Sequence, residues 1–165
     1  MQRRLLLASA SVLALGACGF QLRKAPDFVF DEIAINGDPN SALANQLGRS
    51  LSADGRVTVL RGGAAPASTD IILDIPVELR EKVVVGLNAS GQVREFQLRL
   101  RVRFRVRTPG GRELVPETEL LQQRDISFNE AAVLAKEAEE ALLYRDMQND
   151  IVQQLMRRLA ALPAL

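Results

Sequence analysis

Two neighbouring segments with opposite alternation constrain the fold of this chain more than any other feature. Apolar side chains take the odd positions of residues 71–85, except Glu81, and the even positions from Phe96 to Val106. Strict alternation predicts strands with one buried face, and a turn within residues 88–91 would join them as a long hairpin. Their apolar faces coincide only when odd residues pair with even ones. The predicted register therefore contains these pairs: Asp74 with Arg105, Glu78 with Arg101, and Arg80 with Arg99.

The other strands are predicted on both sides of this hairpin. A turn at residues 109–111 leads into a third long strand at 113–127, and shorter strands are predicted at 28–36 and 57–60. The expected register of the third strand gives two further pairs: Glu117 with Arg103, and Glu119 with Arg101.

A first helix is predicted from the period of three leucines. Leu43, Leu47 and Leu51 recur at a helical spacing. Asn40 is a candidate N-cap, and Gly55 follows the expected end of the helix.

A second, longer helix is predicted near the end of the chain. Ser127 and Glu130 have the spacing of a capping box, and the helical period continues toward Leu162. Its apolar stripe consists of Leu134, Ala138, Ala141, Tyr144, Met147, Ile151, Leu155 and Leu159. Tyr144 and Met147 are therefore expected in the core rather than in a site.

These elements predict a single α/β (α+β) domain over residues 28–165. Two helices would cover one face of a mixed sheet of about four strands, which gives a two-layer sandwich. The other face would be open and would carry the arginines at alternate positions from Arg99 to Arg107. A composition of 47% hydrophobic and 25% charged residues is that of a globular domain.

The start of the chain predicts export and lipid anchoring. Arg3 and Arg4 precede an apolar run at residues 5–15, which is too short to span a bilayer and suits a signal peptide. Small residues then precede Cys18, as in the cleavage box of bacterial lipoproteins. We expect residues 1–17 to be removed, Cys18 to be lipidated and residues 18–27 to form a tether, which places the protein at a membrane. The alternative is an ordinary signal peptide with a chance cysteine.

Composition also excludes several functions. The chain contains no histidine and one cysteine, so the commonest general base and metal ligand is absent. No nucleophile elbow or phosphate-binding loop occurs, and we expect no catalytic residue, metal or cofactor. Loss of Arg3 and Arg4 lowers the Lys and Arg count from 21 to 19, against 20 Asp and Glu. That balance predicts no nucleic-acid partner.

Two segments resemble the family of LPS-assembly lipoproteins called LptE. One is Cys-Gly-Phe-Gln-Leu-Arg at residues 18–23. The other lies in the last helix: Val-Leu-Ala-Lys-Glu at 133–137, Tyr144, Met147, Leu155, Arg157, Arg158 and Leu159. The resemblance covers nearly all of the chain after residue 17. It implies a non-enzymatic lipoprotein of the Gram-negative outer membrane, anchored on the periplasmic side and plugging the β-barrel LptD while contacting lipopolysaccharide. Gly19, where aspartate would retain a lipoprotein in the inner membrane, agrees with this location.

The resemblance also indicates candidate binding residues. Lys136 matches a lysine of the family's helix motif and inherits a lipopolysaccharide contact. Family members carry a basic residue at the first hairpin tip, whereas this tip is Asn-Ala-Ser-Gly at residues 88–91. That departure shifts the expected contact to Arg94 or Arg99.

The arginine stripe has two interpretations, a solvated charged face or a surface for phosphates or the barrel wall. Because cross-strand carboxylates compensate its centre, the expected phosphate contact lies near the first hairpin, at Arg80, Lys82 and Arg99. Barrel contacts are expected at Arg101, Arg103 and Arg105.

Two other functions remain open from the sequence. A structural adaptor for a barrel or secretin, without glycolipid binding, needs the same signal and sandwich. A hydrolase is disfavoured by the missing histidine and nucleophile motifs.

Overall fold

The sheet has five strands in the order β2-β1-β3-β4-β5. The computed structural model describes residues 26–53, 55–62 and 68–164. Its strands are β1 (Glu32–Asn36), β2 (Thr58–Arg61), β3 (Ile71–Leu87), β4 (Val93–Arg107) and β5 (Glu113–Ser127). β1 runs parallel to β2 and β3, whereas β3, β4 and β5 are antiparallel. The mixed sheet is confirmed, with one strand more than the four or so expected. The predicted signal peptide and Cys18 lie outside the described residues.

Two helices pack on the same face of this sheet. α1 (Ala42–Leu51) buries Leu43, Leu47 and Leu51, and α2 (Val133–Ala160) lies beside it. The two helices meet through Gln46, whose side chain bonds to those of Gln148 and Asn149 at 2.7 and 2.6 Å. The predicted α+β sandwich with two helices on one face is confirmed.

Both predicted helix caps are wrong by one or two residues. Ser41, not Asn40, caps α1, because its hydroxyl accepts the Ala44 N–H at 2.9 Å. Ser127 is still in β5, and Asn129 instead caps a short 3-10 turn at Glu130–Ala132 by accepting the Ala131 N–H at 2.9 Å. Such turns commonly begin a helix, and α2 starts after it.

The apolar stripe of α2 is buried from Tyr144 onward. Met147, Ile151, Leu155 and Leu159 are buried, as predicted. Leu134 is 82% exposed, and Ala138 and Ala141 are exposed as well. The prediction of a continuous core stripe is therefore wrong at its beginning.

The predicted hairpin register holds only at the end of the hairpin that is farthest from its turn. Leu73 lies opposite Val106 and Asp74 opposite Arg105. A bulge between Asp74 and Val77 then shifts the pairing by one residue. Pro76 lies within it and has no N–H to donate to the ladder, which suits a bulge.

The bulge turns the side chains in the outer half of β3, which is the segment beyond the bulge, to the face opposite the predicted one. Beyond it the pairs are these: Leu79 with Arg101, Arg80 with Leu100, Glu81 with Arg99, and Lys82 with Leu98. The predicted pairs of Glu78 with Arg101 and of Arg80 with Arg99 are wrong. Since Leu98 and Leu100 are fully buried, Arg80 and Lys82 lie on the helix side of the sheet. Leu79 and Val83 lie on the open face, and two further register shifts between Val84 and Leu87 end this alternation.

The register of β5 is also shifted, but its ion pairs survive. Irregularities between Phe104 and Arg107 place Glu119 opposite Arg103 rather than Arg101. The Glu119 carboxylate still lies 2.6 Å from Arg101 Nη1 and 3.2 Å from Arg103 Nε. Diagonal neighbours lie within reach of long side chains on an antiparallel face. The predicted contact of Arg101 with Glu119 is therefore confirmed, although the predicted pairing register is wrong.

Candidate functional site

A small cleft lies where the first turns of α2 cross the β3–β4 hairpin. We call it the lysine cleft. Its volume is about 60 Å³, and it is lined by Lys82, Phe96, Ile126, Ser127, Phe128, Val133, Lys136, Glu137 and Glu140. The cleft contains two of the predicted site residues, Lys82 and Lys136.

Lys82 reaches the cleft because the bulge has turned it toward the helices. Its ammonium nitrogen is 2.7 Å from a carboxylate oxygen of Glu140 in α2. The same nitrogen is 4.4 Å from the ring centroid of Phe96, within the range of a cation–π contact. The lysine therefore joins the hairpin to α2.

Lys136 lies on the opposite side of the cleft. Its ammonium donates to the Ser127 hydroxyl at 2.9 Å and to the Glu139 carboxylate at 2.8 Å. Ser127 ends β5, so this contact fixes the start of α2 to the sheet. Both lysines are thus held by a neighbouring carboxylate.

The floor of the cleft is apolar. Phe96 and Phe128 make an edge-to-face contact with their ring centroids 5.4 Å apart, and Ile126 and Val133 complete the surface. Two cations above an apolar floor can bind a ligand that joins an anionic group to a hydrocarbon chain. An anion must compete with Glu139 and Glu140 to do so.

Arg80 is placed apart from the lysine cleft. Its guanidinium donates to Gln148 Oε1 at 3.1 Å and lies 5.2 Å from the ring centroid of Tyr144. The Tyr144 hydroxyl donates to the Glu81 carbonyl at 2.7 Å, and burial raises the pKa of that hydroxyl. Arg80 and Tyr144 therefore pack the hairpin against α2.

The predicted cluster of Arg80, Lys82 and Arg99 is not formed. Arg99 is on the open face, where its Nε donates to Gln97 Oε1 at 2.8 Å. Arg94 is exposed and lies in a bulge of β4 between Val93 and Glu95. Of the arginines expected near the hairpin, Arg80 shares the helix side with Lys82, and the two line one cavity.

The arginines of the open face are held by carboxylates. Arg105 Nε and Arg107 Nε each lie 2.9 Å from Asp74 Oδ2. The pKa of Asp74 is raised by burial but lowered further by hydrogen bonds from Arg107, Asn36 and Arg105, so it ends below its ordinary value. Hydrogen bonds from Arg101 and then Arg103 likewise lower the pKa of Glu119. The predicted compensation of this face by cross-strand pairs is confirmed.

Sequence reasoning missed the apolar residues of the open face. Leu79, Arg101 and Leu121 form one row across β3, β4 and β5, with both leucines exposed. The alternation of β3 alone assigned Leu79 to the core. Pro76 was the available signal, because a proline inside a long strand indicates a bulge.

Within the described part of the chain, no helix is both long and apolar enough to cross a membrane. The same residues contain no group of three or more His, Cys, Asp or Glu side chains placed to hold a metal ion.

Similar proteins identify the family. Residues 30–159 match the family described as LptE, lipopolysaccharide-assembly. The LPS-assembly lipoprotein LptE of Photorhabdus laumondii is 30% identical over 159 residues, covering 93% of this chain and 83% of that protein. Its counterpart in Yersinia enterocolitica is 29% identical, covering 97% and 76%.

Solved structures share the fold. An uncharacterized lipoprotein B from Nitrosomonas europaea has 33% identity and a TM-score of 0.70, covering 87% of this chain and 91% of that one. The rare lipoprotein B from Shewanella oneidensis has 21% identity and a TM-score of 0.64, covering 79% and 94%. The family match over most of its length shows that this chain belongs to the LptE family of lipopolysaccharide-assembly lipoproteins.

Proposed function

We propose that this protein is a non-enzymatic lipoprotein of the outer membrane that binds lipopolysaccharide and plugs an LptD-type β-barrel during lipopolysaccharide assembly. The lipid on Cys18 anchors it on the periplasmic side, within the barrel complex. The observation that carries the proposal is the lysine cleft, where two ammonium groups stand over an apolar floor. That chemistry matches a phosphorylated glycolipid.

Lys82 and Lys136 are the proposed head-group ligands. A phosphate of lipid A carries more charge than a carboxylate, so it can replace Glu140 and Glu139 at the two ammonium groups. The lysines are already oriented by these glutamates and by Ser127, which lowers the entropy lost on binding. Arg94, exposed near the tip of the hairpin, supplies a further cation to the approaching head group.

The open face is the proposed contact with the barrel wall. Arg101, Arg103 and Arg105 are each paired with a carboxylate, so this face offers a polyanion little net attraction. Ion-paired arginines between exposed leucines instead suit a protein surface of mixed polarity. Arg99 belongs to this face as well, and we assign it to the barrel rather than to lipopolysaccharide.

The test removes the two cleft lysines together. The double variant Lys82→Gln, Lys136→Gln should bind purified lipopolysaccharide about ten-fold more weakly and with a shallower salt dependence, because fewer cations face the phosphates. Arg103→Gln with Arg105→Gln is the charge-matched control and should bind nearly as the wild type. Titration calorimetry at two salt concentrations measures both, and circular dichroism confirms folding.

One observation favours a second candidate function. Both lysines form ion pairs with glutamates, as expected of residues that only hold α2 against the hairpin. A barrel adaptor without glycolipid binding would use them in that way. Wild-type affinity in the folded lysine double variant would support this adaptor and contradict the proposed lipopolysaccharide site.

A further inference from the structure

The outer half of β3 has a neighbouring strand on one side only. Within the described residues, β1 pairs with β3 from Ile71 to Asp74 and ends at Asn36. From Val77 to Leu87, β3 pairs with β4 alone. At about 3.3 Å per residue this free edge is roughly 35 Å long, longer than a typical whole strand.

A groove follows this edge on the helix side. One cavity of about 460 Å³ is lined by Pro76, Glu78 and Arg80 together with the start of α1. A second, of about 600 Å³, is lined by Arg80, Lys82, Glu140 and Tyr144. The two cavities share Arg80, so space for an extended segment continues along the edge from α1 to α2.

Apolar side chains border the edge on both faces of the sheet. Leu79 is 46% exposed on the open face and Val84 is 45% exposed on the helix side, while Val85, 47% exposed, lies in a second bulge of β3 between Val84 and Gly86. The other free edge, that of β5, is bordered by Leu121 and by acidic side chains at 117, 119 and 125. Charges of one sign disfavour addition of another strand.

The usual protection of a free edge is weak along β3. A lysine can guard an edge, but the Lys82 side chain turns toward Glu140 and Phe96. Proline also guards edges, but Pro76 precedes the free segment. From the helix layer, the Tyr144 hydroxyl bonds to one backbone group of this segment, the Glu81 carbonyl.

We propose that an extended segment of the partner protein adds a strand to the free edge of β3, at residues 77–87. This inference rests on the proposed function, in which that partner is the barrel protein. The segment would alternate in polarity, with apolar side chains on the open face beside Leu79 and Val83. Polar or acidic side chains would face Arg80 and Lys82. A second copy of this chain fits less well, because antiparallel pairing centred on Arg80, Glu81 or Lys82 places like charges together.

Hydrogen–deuterium exchange tests the strand directly. The full lipoprotein is measured alone and in complex with the LptD-type barrel in mild detergent. Backbone amides in residues 77–87 should exchange about ten-fold more slowly in the complex, because the outward N–H groups gain hydrogen-bond partners. Amides in residues 117–127, at the other edge, should change much less. Unchanged exchange at 77–87 in a formed complex overturns the inference.

A pair of matched double variants tests the same edge by affinity. Leu79→Lys with Val83→Lys places two charges beside the β3 edge, and Leu121→Lys with Gln123→Lys places two on the same face beside β5. All four positions are on the open face, so folding should persist, which melting curves check. The β3 variant should bind the barrel at least about ten-fold more weakly than the β5 variant.

The outcomes separate this inference from the proposed function. Equal loss in both variants means that the barrel contacts the open face and not the edge, which overturns the inference alone. Failure of the wild-type protein to bind the barrel overturns both. A concentration-dependent dimer that protects residues 77–87 without the barrel also overturns the inference, since the added strand is then a second copy.

Discussion

At the scale of single residues, Asp74 connects three strands at the point where the sheet changes. It is the last β3 residue paired with β1 and the last before the bulge. Its carboxylate accepts hydrogen bonds from Arg105, Arg107 and the Asn36 amide at 2.9, 2.9 and 3.0 Å. Such a cluster fixes the pairing register of β3 with β4 next to the bulge, where the extra residue would otherwise allow the strands to slip.

Replacement of Asp74 by asparagine should destabilise the protein by about 1 kcal/mol near neutral pH. The guanidinium groups of Arg105 and Arg107 lose their shared carboxylate, and the partial exposure of the site limits the effect. Urea denaturation at low salt measures it. Asp27→Asn is the control, because the ion pair of Asp27 with Arg56 is far more exposed.

The same carboxylate predicts a pH dependence. The folded protein holds the pKa of Asp74 below its ordinary value of 3.8, so the stabilisation is complete above that value and is lost as the pH falls through the lowered pKa. Stability measured from pH 6 down to pH 2 should fall less steeply in Asp74→Asn than in the wild type. Identical slopes would contradict the role assigned to this residue.

At the scale of elements, alternation predicted where the strands lie but not how β3 pairs along its length. The sequence of residues 71–85 fits either pairing register with β4, because a bulge changes the face on which a side chain lies without changing the alternation of apolar and polar residues. The ion pairs between the open-face arginines and the carboxylates of neighbouring strands were predicted more reliably, since an arginine reaches carboxylates both opposite and diagonal to it. The lysine cleft could not be foreseen, because it requires the shifted register to bring Lys82 toward Lys136.

The uneven burial of α2 gives a prediction at this scale. Leu155→Ala, in the buried half, should cost about 2–4 kcal/mol, because it leaves a cavity under α2. Leu134→Ala makes the same change in the exposed first turn and should change stability by less than about 0.5 kcal/mol. Thermal denaturation compares the two. Equal effects would mean that the first turns of α2 are packed as well as the rest.

At the scale of the whole molecule, the described residues divide into two halves along the long strands. One half has all five strands and α1, whereas the other has β3, β4 and β5 with the start of α2. The lysine cleft and the free edge of β3 both lie in the three-stranded half.

Anchoring predicts a defined change of mass. Cys18→Ser should leave a precursor that retains residues 1–17 and lacks the mass of the diacylglyceryl group, because a hydroxyl cannot replace the thiol that accepts it. Mass spectrometry of the membrane-extracted protein measures this. A native mature protein that starts at another residue and carries no lipid would contradict the assignment.

The bulge at Pro76 also has a consequence for how such a chain can vary. Removal of one residue there would restore the unshifted pairing and move every side chain of residues 77–87 to the other side of the sheet. Leu79 and Val83 would turn inward and Lys82 outward, with no substitution anywhere in the segment. Deletion or insertion of a single codon there would therefore change the side chains on both faces of the sheet at once. Related chains that differ by one residue at this position should present different surfaces from nearly the same sequence.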